Sequence, residues 1–521
     1  METYSTSKVQ SWLIWFLKGV MFLAGMILIA RLVEVQVIKG EYFRELSENN
    51  RIRKVEINAP RGKILARGGE VMVDNREIKK LIEFDPNEGY IKIEVLSDVS
   101  KEQAIQEWER EYLDGRSISH IVGYIGEVKE DEIGKVDPQC PEKADMQIGQ
   151  KVGRTGIEEY YNCRLTGIPG EEMLEVDSGG NKIAVLGMRD PIPGEDIQTT
   201  IDLPLQKRIS YLMKDVQGAV VVTDTKGNIL SLVSSPSYDP NYFVGKNQEN
   251  IKSILENETL PLFNRATGGS FPPGSIYKPI VAMAGLEEGD IDSGYTYQDT
   301  GVVEVDTDFG HFSYKNWYFT QYGGTEGEIG VKKALARSTD TFFYKLGEAL
   351  GPGNLLKWSK IFGLDQKTGI DIPGEIEGLI PSPGWKQEIK GERWFLGNTY
   401  HMSIGQGDLL VTPIGINRAI SAIASKGKLC QTRLVNDPEL DLRGENIDNC
   451  EDLELSEGAV DLVTEGMVDA CSSGGTGFTF FDINEKADQE EDFLIVKAAG
   501  GDKKIKVNAV ACKTGTAETG G

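Results

Sequence analysis

The chain is short of positive charge. Its 521 residues carry 56 lysines and arginines against 81 aspartates and glutamates, a formal net charge of −25. A nucleic-acid partner needs a basic face to neutralise phosphates, so that class is excluded. Cysteine is scarce as well. The six cysteines, at 140, 163, 430, 450, 471 and 512, are scattered and form no Cys-x-x-Cys pair. That excludes a zinc ribbon and a disulfide scaffold. Cys430 and Cys450 could pair in an oxidising compartment, but free thiols are the expectation. There is no internal repeat and no low-complexity linker. What is present is a globular mix, 40% hydrophobic and 26% charged, long enough for about three domains.

One apolar run fixes the compartment. "WLIWFLKGVMFLAGMILIA", Trp12 to Ala30, is interrupted only by Lys18. Nineteen residues make a helix of roughly 28 Å, close to the hydrocarbon thickness of a bilayer. Trp12 and Trp15 stand near one end as interfacial anchors do. A cleaved signal peptide is the competing reading. No small-x-small cleavage site precedes Arg31, and the pattern runs on without a break, so an uncleaved anchor is expected. The bulk of the chain then lies on one side of the membrane, read here as extracytoplasmic.

Beyond the anchor, Lys54–Ile57 and Lys63–Leu65 read as strands, and Pro60-Arg61-Gly62 and Gly68-Gly69 as turns. Residues 82–150 show no clear period. A short helix is expected near Gly156–Leu165, and a strand leading into a helix in "DIQTTIDLPLQKRISYLM". "GAVVVTDTKGNILSLVSS" reads as a β-hairpin about Thr225-Lys226-Gly227-Asn228. A mainly helical region follows. Near the end, Ile505, Val507, Ala509 and Ala511 alternate with polar or smaller residues, a strand pattern that would present Lys513. Strands, then helices, then a strand describe an α+β domain.

Ser-x-x-Lys occurs at Ser5–Lys8, Ser275–Lys278 and Ser425–Lys428, and average usage gives roughly two chance matches in a chain this long. Only Ser275 follows a Pro-Pro-Gly break and precedes "IVAMAGL", a helix apolar all round and therefore expected in a core. Positions i and i+3 share a helix face, so the Lys278 amine can reach the Ser275 hydroxyl. The helix dipole and burial both disfavour the ammonium, leaving an amine able to take the serine proton. Taken alone, the pair also fits a serine N-cap with a solvated lysine. Ser338 and Asp340 occupy the junction of two helical stretches, where Asp340 could simply cap the second. Lys-Thr-Gly occurs twice. Lys367-Thr368-Gly369 lies in a Gly/Pro-bounded loop, whereas Lys513-Thr514-Gly515 ends the alternating run, with Gly515 allowing close backbone approach. Asp299, Asp306, Asp308 and His311 are neighbours in sequence, but their spacing fits no metal-ligand pattern, and a solvated acidic loop is expected.

Serine-x-x-lysine, serine-x-aspartate and lysine-threonine-glycine, in that order within one α+β unit, resemble the penicillin-recognising serine acyltransferases. "NNRIRKVEINAPRGKIL", "VGRTGIEEYY", "TIDLPLQ", "SSPSYDPNYFV", "NRATGGSFPPGS", "GIDIPGE" and "SIGQGDLLVTP" extend the resemblance to class B penicillin-binding proteins from about residue 12 to 521. The elongation type, penicillin-binding protein 2, is the more similar. The resemblance implies an α+β chain with four parts: a cytoplasmic tail (1–11), a transmembrane anchor (12–33), a β-rich pedestal of the dimerisation type (34–204) and a transpeptidase domain (205–521). The last would be an antiparallel sheet flanked by helices plus a helical lobe. Two strands and a helix that follow the Lys-Thr-Gly strand in the family are missing, so the expectation is a chain truncated at its C-terminus.

By the same resemblance, Ser275 attacks the penultimate D-alanine carbonyl of a peptidoglycan stem peptide, and Lys278 is its base. Ser338 relays a proton to the leaving amine, Asp340 holds its surroundings, and Lys513 supports the field around Ser338. Thr514, Gly515 and Thr516 bind substrate, the two threonines through its carboxylate. The N–H groups of Ser275 and Thr516 form an oxyanion hole. No cofactor and no metal is implied. Stem peptides on lipid II-derived glycan strands, β-lactam antibiotics and a RodA-like membrane glycosyltransferase are the implied partners. The place is the cytoplasmic (inner) membrane, single-pass, with the catalytic domain outside. The family's Asp-Arg-Asn-Gly stands here as Ala66-Arg67-Gly68-Gly69, which puts a pedestal salt bridge in doubt, and 82–150 is short for the pedestal's head. A D,D-carboxypeptidase, a β-lactamase, a division-type transpeptidase and a non-catalytic scaffold or β-lactam sensor are the alternatives. No residue suited to activating a deacylating water stands out, which counts against the β-lactamase.

Overall fold

Apolar side chains from Trp12 to Ile38 form one helical span of 27 residues, none of it buried against other described residues. The α-helix Ser11–Val33 continues as a π-helical turn, Glu34–Ile38. About 40 Å of helix results, long and apolar enough to cross a bilayer. Glu34, within the last turns of the span, pairs with Arg31 and Lys39 at 2.5 and 2.9 Å. These features come from a computed structural model that describes residues 11–517, except 86–88, 95–103, 138–139, 142–144, 178–181, 246, 309, 437–448, 489–492, 499–500 and 507–508.

The chain divides into two compact units. The first comprises Met1–Arg61, Asn75–Glu109 and Thr166–Gly194. Its strands Ile52–Ile57, Gly170–Val176 and Lys182–Arg189 form an antiparallel sheet with Gly170–Val176 in the middle. Alternate residues of that middle strand are buried, Leu174 and Val176 packing with Val55. Glu172 is buried among them and accepts a bond from Lys182 at 3.2 Å.

The second unit comprises Gly62–Asp74, Arg110–Leu165 and Glu195–Gly521. Arg110 and Glu158, both buried, pair at 2.7 Å, and Arg110 also donates to the Gly62 carbonyl. The expected short helix is two, Gly156–Tyr160 and Asn162–Leu165, and the expected strand and helix are Ile197–Gln198 and Leu203–Leu212. The hairpin is present as Gly218–Thr223 paired with Ile229–Ser235, turning at Gly227 with φ +84°. Among the described residues, Gly218–Thr223 pairs with no other strand.

The helix Lys278–Glu287 lies at the centre of this unit, with every residue from Lys278 to Gly285 buried. It packs against the helices Asp340–Ile361 and Glu457–Ala470. Val281, Phe342, Phe343, Leu346, Val463 and Met467 belong to their shared core. Each large apolar side chain contributes about 1.5–3 kcal/mol there, so the elements around Ser275 are rigidly placed.

Three expectations need correction. The six cysteines are not free: they pair as Cys140–Cys163, Cys430–Cys450 and Cys471–Cys512. Partners 20 to 41 residues apart in sequence are brought together by the fold, which spacing motifs do not register. The strand over 505–511 is shorter than its alternation suggests. Gly501–Lys506 pairs with Phe493–Ala498, and 509–517 runs without strand pairing to described residues. There the backbone bonds helices instead: Cys512 N donates to Met467 O, and Val510 N to the Asn484 side chain. The acidic loop is not solvated throughout. Val302–Thr307 and Gly310–Lys315 form a hairpin, and Asp299 is only 1% exposed. It accepts bonds from the Thr341 hydroxyl and from the N–H groups of Gly301 and Glu326. His311 lies outside with Asp306 and Glu304. Residues 82–150, unreadable by period, hold the strands Gly89–Glu94 and Ala104–Tyr112 and the helix Ser119–Val122.

Candidate active site

Pro272, Pro273 and Gly274 stop the incoming chain, and Gly274 takes φ +57°. Ser275 follows in a 3-10 turn, Gly274–Tyr277, that runs into the helix Lys278–Glu287. Pro279 falls in the first turn of that helix, where its missing N–H has no intrahelical partner to lose. The turn is held from behind. Gly274 N donates to Gly405 O at 2.7 Å. A Cβ on Gly405, itself at φ +77°, would stand 2.1 Å from the Gly274 carbonyl oxygen. On the other side, a Cβ on Gly274 would stand 2.5 Å from Thr516 O. Three backbone segments thus meet beneath Ser275, whose side chain is half-buried.

Lys278 is fully buried, and its amine has three hydrogen-bond partners. Nζ donates to Asp340 Oδ1 at 2.6 Å, to Ser338 O at 2.9 Å and to Ser338 Oγ at 3.2 Å. Burial pushes its pKa below the usual 10.5, and the Asp340 carboxylate pulls against that. Among the described residues, no hydrogen bond joins Lys278 to Ser275. The amine expected on the serine instead stands bonded to the second motif.

Ser338 ends the helix Val331–Arg337 in the left-handed region, φ +55°, a strained conformation for a residue with a Cβ. Asp340 opens the helix Asp340–Ile361 and is more than a cap. Besides Lys278, it accepts from Trp317 N at 3.1 Å, while its own N–H donates to Asn316 Oδ1 at 3.1 Å. The Trp317 indole donates to Arg337 O, closing the ring around the turn.

The third motif lies along the same centre. Burial first, and then the Lys278 charge, push the Lys513 amine well below its usual range, with Asp340 opposing. The two lysines and the aspartate therefore share one electrostatic neighbourhood. Lys513 Nζ donates to Thr514 O at 2.9 Å, and the Thr514 hydroxyl to Thr476 at 2.7 Å. A Cβ on Gly515 would be 2.9 Å from Ile276 Cγ2 and 3.2 Å from Pro273 O. A glycine is required for this segment to pass the serine turn so closely. Thr516 lies exposed beyond it.

The decoy motifs have structural work instead. The hydroxyl and N–H of Thr368 bond Glu375 at 2.6 and 2.7 Å, and both residues are buried. Ser425 bonds the Lys428 carbonyl at a helix end, while Lys428 pairs with Asp452. Ser5 lies outside the described residues. Asn316, Trp317, Gly405 and Asn484 are parts of the site that sequence reasoning missed. Gly405 had a signal, the "SIGQGD" run, whereas Asn316 had none. Among the described residues, no group of three His, Cys, Asp or Glu side chains is placed to hold a metal ion.

This geometry agrees with three comparisons. The family described as penicillin binding protein transpeptidase domain matches residues 218–521, and the penicillin-binding protein dimerisation domain matches 93–199. The peptidoglycan D,D-transpeptidase MrdA of Acinetobacter baumannii is 31% identical over 464 residues, 80% of this chain and 67% of that protein. The complex of penicillin-binding protein 2 with MreC from Helicobacter pylori superposes with a TM-score of 0.68 at 25% identity, covering 82% of this chain and 86% of that one. A peptidoglycan synthase complex that coordinates polymerization and crosslinking gives 0.67 at 25% identity, over 98% of this chain and 89% of that one. With the serine turn, the buried lysine and the lysine-threonine-glycine segment assembled at one centre, the chain belongs to the class B penicillin-binding proteins and is a peptidoglycan D,D-transpeptidase of the penicillin-binding protein 2 kind, a target of β-lactams.

Proposed function

We propose that Ser275 is the acylated residue and that Lys278, Ser338, Asp340 and Lys513 form its proton-transfer network. The observation that carries this reading is the fully buried Lys278 amine, bonded to Ser338 and Asp340 and depressed by burial. As the Ser275 Oγ bonds to the penultimate D-alanine carbonyl carbon, its proton passes to Lys278. The N–H groups of Ser275 and Thr516 receive the developing oxyanion. The carbonyl-to-nitrogen bond then breaks, and the terminal D-alanine leaves with a proton delivered through Ser338. The amine of a second stem peptide attacks the acyl-enzyme, loses its proton by the reverse route, and frees Ser275 with a crosslink formed. Lys513 supports the field around Ser338, and Thr514, Gly515 and Thr516 bind the donor peptide, its carboxylate falling to the two threonines. A β-lactam enters by the same first step and remains attached.

The setting we infer is cell-wall elongation. A tail over 1–11 would be cytoplasmic and 12–33 would anchor the chain once in the inner membrane. The pedestal, 34–204, and the transpeptidase domain, 205–521, would stand outside. The apolar span and the two family matches support this arrangement. A RodA-like glycosyltransferase is the partner proposed, supported by the likeness to a synthase complex that joins polymerization to crosslinking. Fluorescent-penicillin labelling of the chain and of Ser275→Ala, with the labelled peptide located by mass spectrometry, tests the nucleophile. Label on the wild-type peptide containing Ser275 and none on the variant is expected. Equal labelling of both would overturn the assignment.

A further inference from the structure

The wall that carries Lys513, Thr514 and Thr516 belongs to no described sheet, and its placement against Ser275 can be followed through its other contacts. Its attachments converge on residues 467–484. Cys512, immediately before Lys513, is disulfide-bonded to Cys471, which is fully buried just past the helix Glu457–Ala470. Cys512 N donates to Met467 O at 2.9 Å. Asn484, 1% exposed, brackets the chain two residues earlier. Its Oδ1 accepts from Val510 N at 2.7 Å and its Nδ2 donates to Val510 O at 2.9 Å. The same Nδ2 reaches Val468 O and Ser472 Oγ, each at 3.3 Å, tying it to the helix end.

The loop after Cys471 touches both catalytic walls. Thr476 Oγ1 accepts the Thr514 hydroxyl. Gly474 O accepts Arg337 Nη1 at 2.9 Å, and Arg337 is the residue before Ser338. A Cβ on Gly477 would stand 2.5 Å from Cys512 Sγ, so this loop and the disulfide are packed without a gap. Among the described residues, the disulfide is therefore the one cross-link in a set of contacts that sets the third motif against the second.

We propose that the Cys471–Cys512 disulfide, seconded by Asn484, is a positioning device that holds Lys513, Thr514 and Thr516 in reach of the Ser275 centre, so that acylation is fast only while the bond is closed. The proposal rests on Ser275 being the nucleophile. The physical basis is proximity: a misplacement of about 1 Å in a catalytic group can cost up to about a hundredfold in rate. With the bond open, residues 509–517 keep their hydrogen bonds and packing contacts, and the constraint on the 41-residue separation is lost. The other two disulfides have no such connection. Cys430–Cys450 joins the short paired strands Lys428–Cys430 and Cys450–Asp452, which makes it a matched control.

The test uses the full chain in detergent and compares four forms: wild type, Cys471→Ser with Cys512→Ser, Cys430→Ser with Cys450→Ser, and Ser275→Ala. Fluorescent penicillin reads both the acylation rate constant and the final label per chain, and mass spectrometry reads the thiol state. Opening the 471–512 bond is expected to slow acylation about tenfold or more while the final label per chain stays at the wild-type level. The control pair should keep the wild-type rate. Should the 471/512 variant fail to accumulate, graded reduction of wild type with a water-soluble phosphine gives the same comparison. That step consumes one water, yields two thiols and turns the phosphine into its oxide, and reoxidation should restore the rate. Unchanged rates with the bond open would overturn the proposal. So would a rate and a label content that fall in parallel, because that marks loss of folded protein only. Labelling of Ser275→Ala at the wild-type level would instead sink the nucleophile reading, and the proposal with it.

Discussion

Asp340 Oδ1 lies 2.6 Å from the fully buried Lys278 amine, and on that amine burial and the carboxylate act in opposite senses. Burial is the larger effect and favours the free base. Asp340 restrains it, and through its second oxygen is itself held by Trp317 N. On the proposed reading, in which Lys278 is the base, the carboxylate orients that base and sets how readily it takes up a proton.

Replacing Asp340 by Asn removes the group that raises the Lys278 pKa and leaves burial unopposed. If Lys278 is the base, as proposed, acylation needs its free form, so the rate should climb with pH along a limb centred below 10.5 in the wild type. In Asp340→Asn that limb should move to lower pH, while the rate at its plateau falls because the amine is less firmly oriented. Stopped-flow acylation by a chromogenic β-lactam across the pH range measures both. A limb displaced to higher pH would contradict this account. The same depressed pKa bears on folding: the unfolded chain binds this proton more readily, so stability rises with pH up to 10.5.

Gly405→Ala should damage the site without touching any side chain proposed to be catalytic. Its Cβ would stand 2.1 Å from the Gly274 carbonyl oxygen, and its φ of +77° suits glycine. The serine turn must shift for the alanine to fit. A stability loss of about 1–3 kcal/mol is expected from strain at a special backbone position, with acylation slowed in the folded fraction. Thermal melts and label kinetics on the same sample separate the two effects.

The three motifs proposed to be catalytic were legible because each combines a local pattern with chemistry. Ser275 stood out by the apolar helix behind it, and that helix is buried from Lys278 to Gly285. The hairpin at 218–235 was readable from alternation and its Gly227 turn. What stayed hidden depends on contacts distant in sequence. Asn316 reaches Asp340 across 24 residues, and Cys471 reaches Cys512 across 41. No periodicity encodes either. The chain over 509–517 misled for a related reason. Its alternation is real, but its hydrogen-bonding groups go to Met467 and Asn484.

Asp299 is a structural carboxylate in an acidic stretch, and its removal should be costly. The Thr341 hydroxyl and two backbone N–H groups depend on it, at 2.7, 2.9 and 2.7 Å. Thr341 is the residue after Asp340, so the loss reaches the first turn of the helix Asp340–Ile361. Asp299→Ala orphans these buried donors and should destabilise the chain by about 3 kcal/mol. Asp306→Ala, on the exposed hairpin, should change stability by less than about 0.5 kcal/mol. Urea unfolding of the two variants in parallel decides between a buried hub and a solvated loop.

His120 gives the second unit a defined acid sensitivity. The ring is 8% exposed and its Nε2 lies 2.9 Å from Pro261 O. Burial lowers its pKa from 6.5 to about 4, with the Arg265 charge adding to the effect. The folded chain therefore keeps the imidazole neutral where the unfolded chain has already protonated it. Its stabilising contribution is complete above 6.5 and is lost as pH falls through that interval towards 4. The full linkage is worth up to about 3 kcal/mol. His120→Asn retains a side chain able to donate to Pro261 O but cannot titrate. Stability of the wild type, followed by urea unfolding at successive pH values, should fall more steeply than that of the variant over this interval and should match its slope above it. Parallel curves throughout would mean that the acid sensitivity arises from the carboxylates and not from this ring.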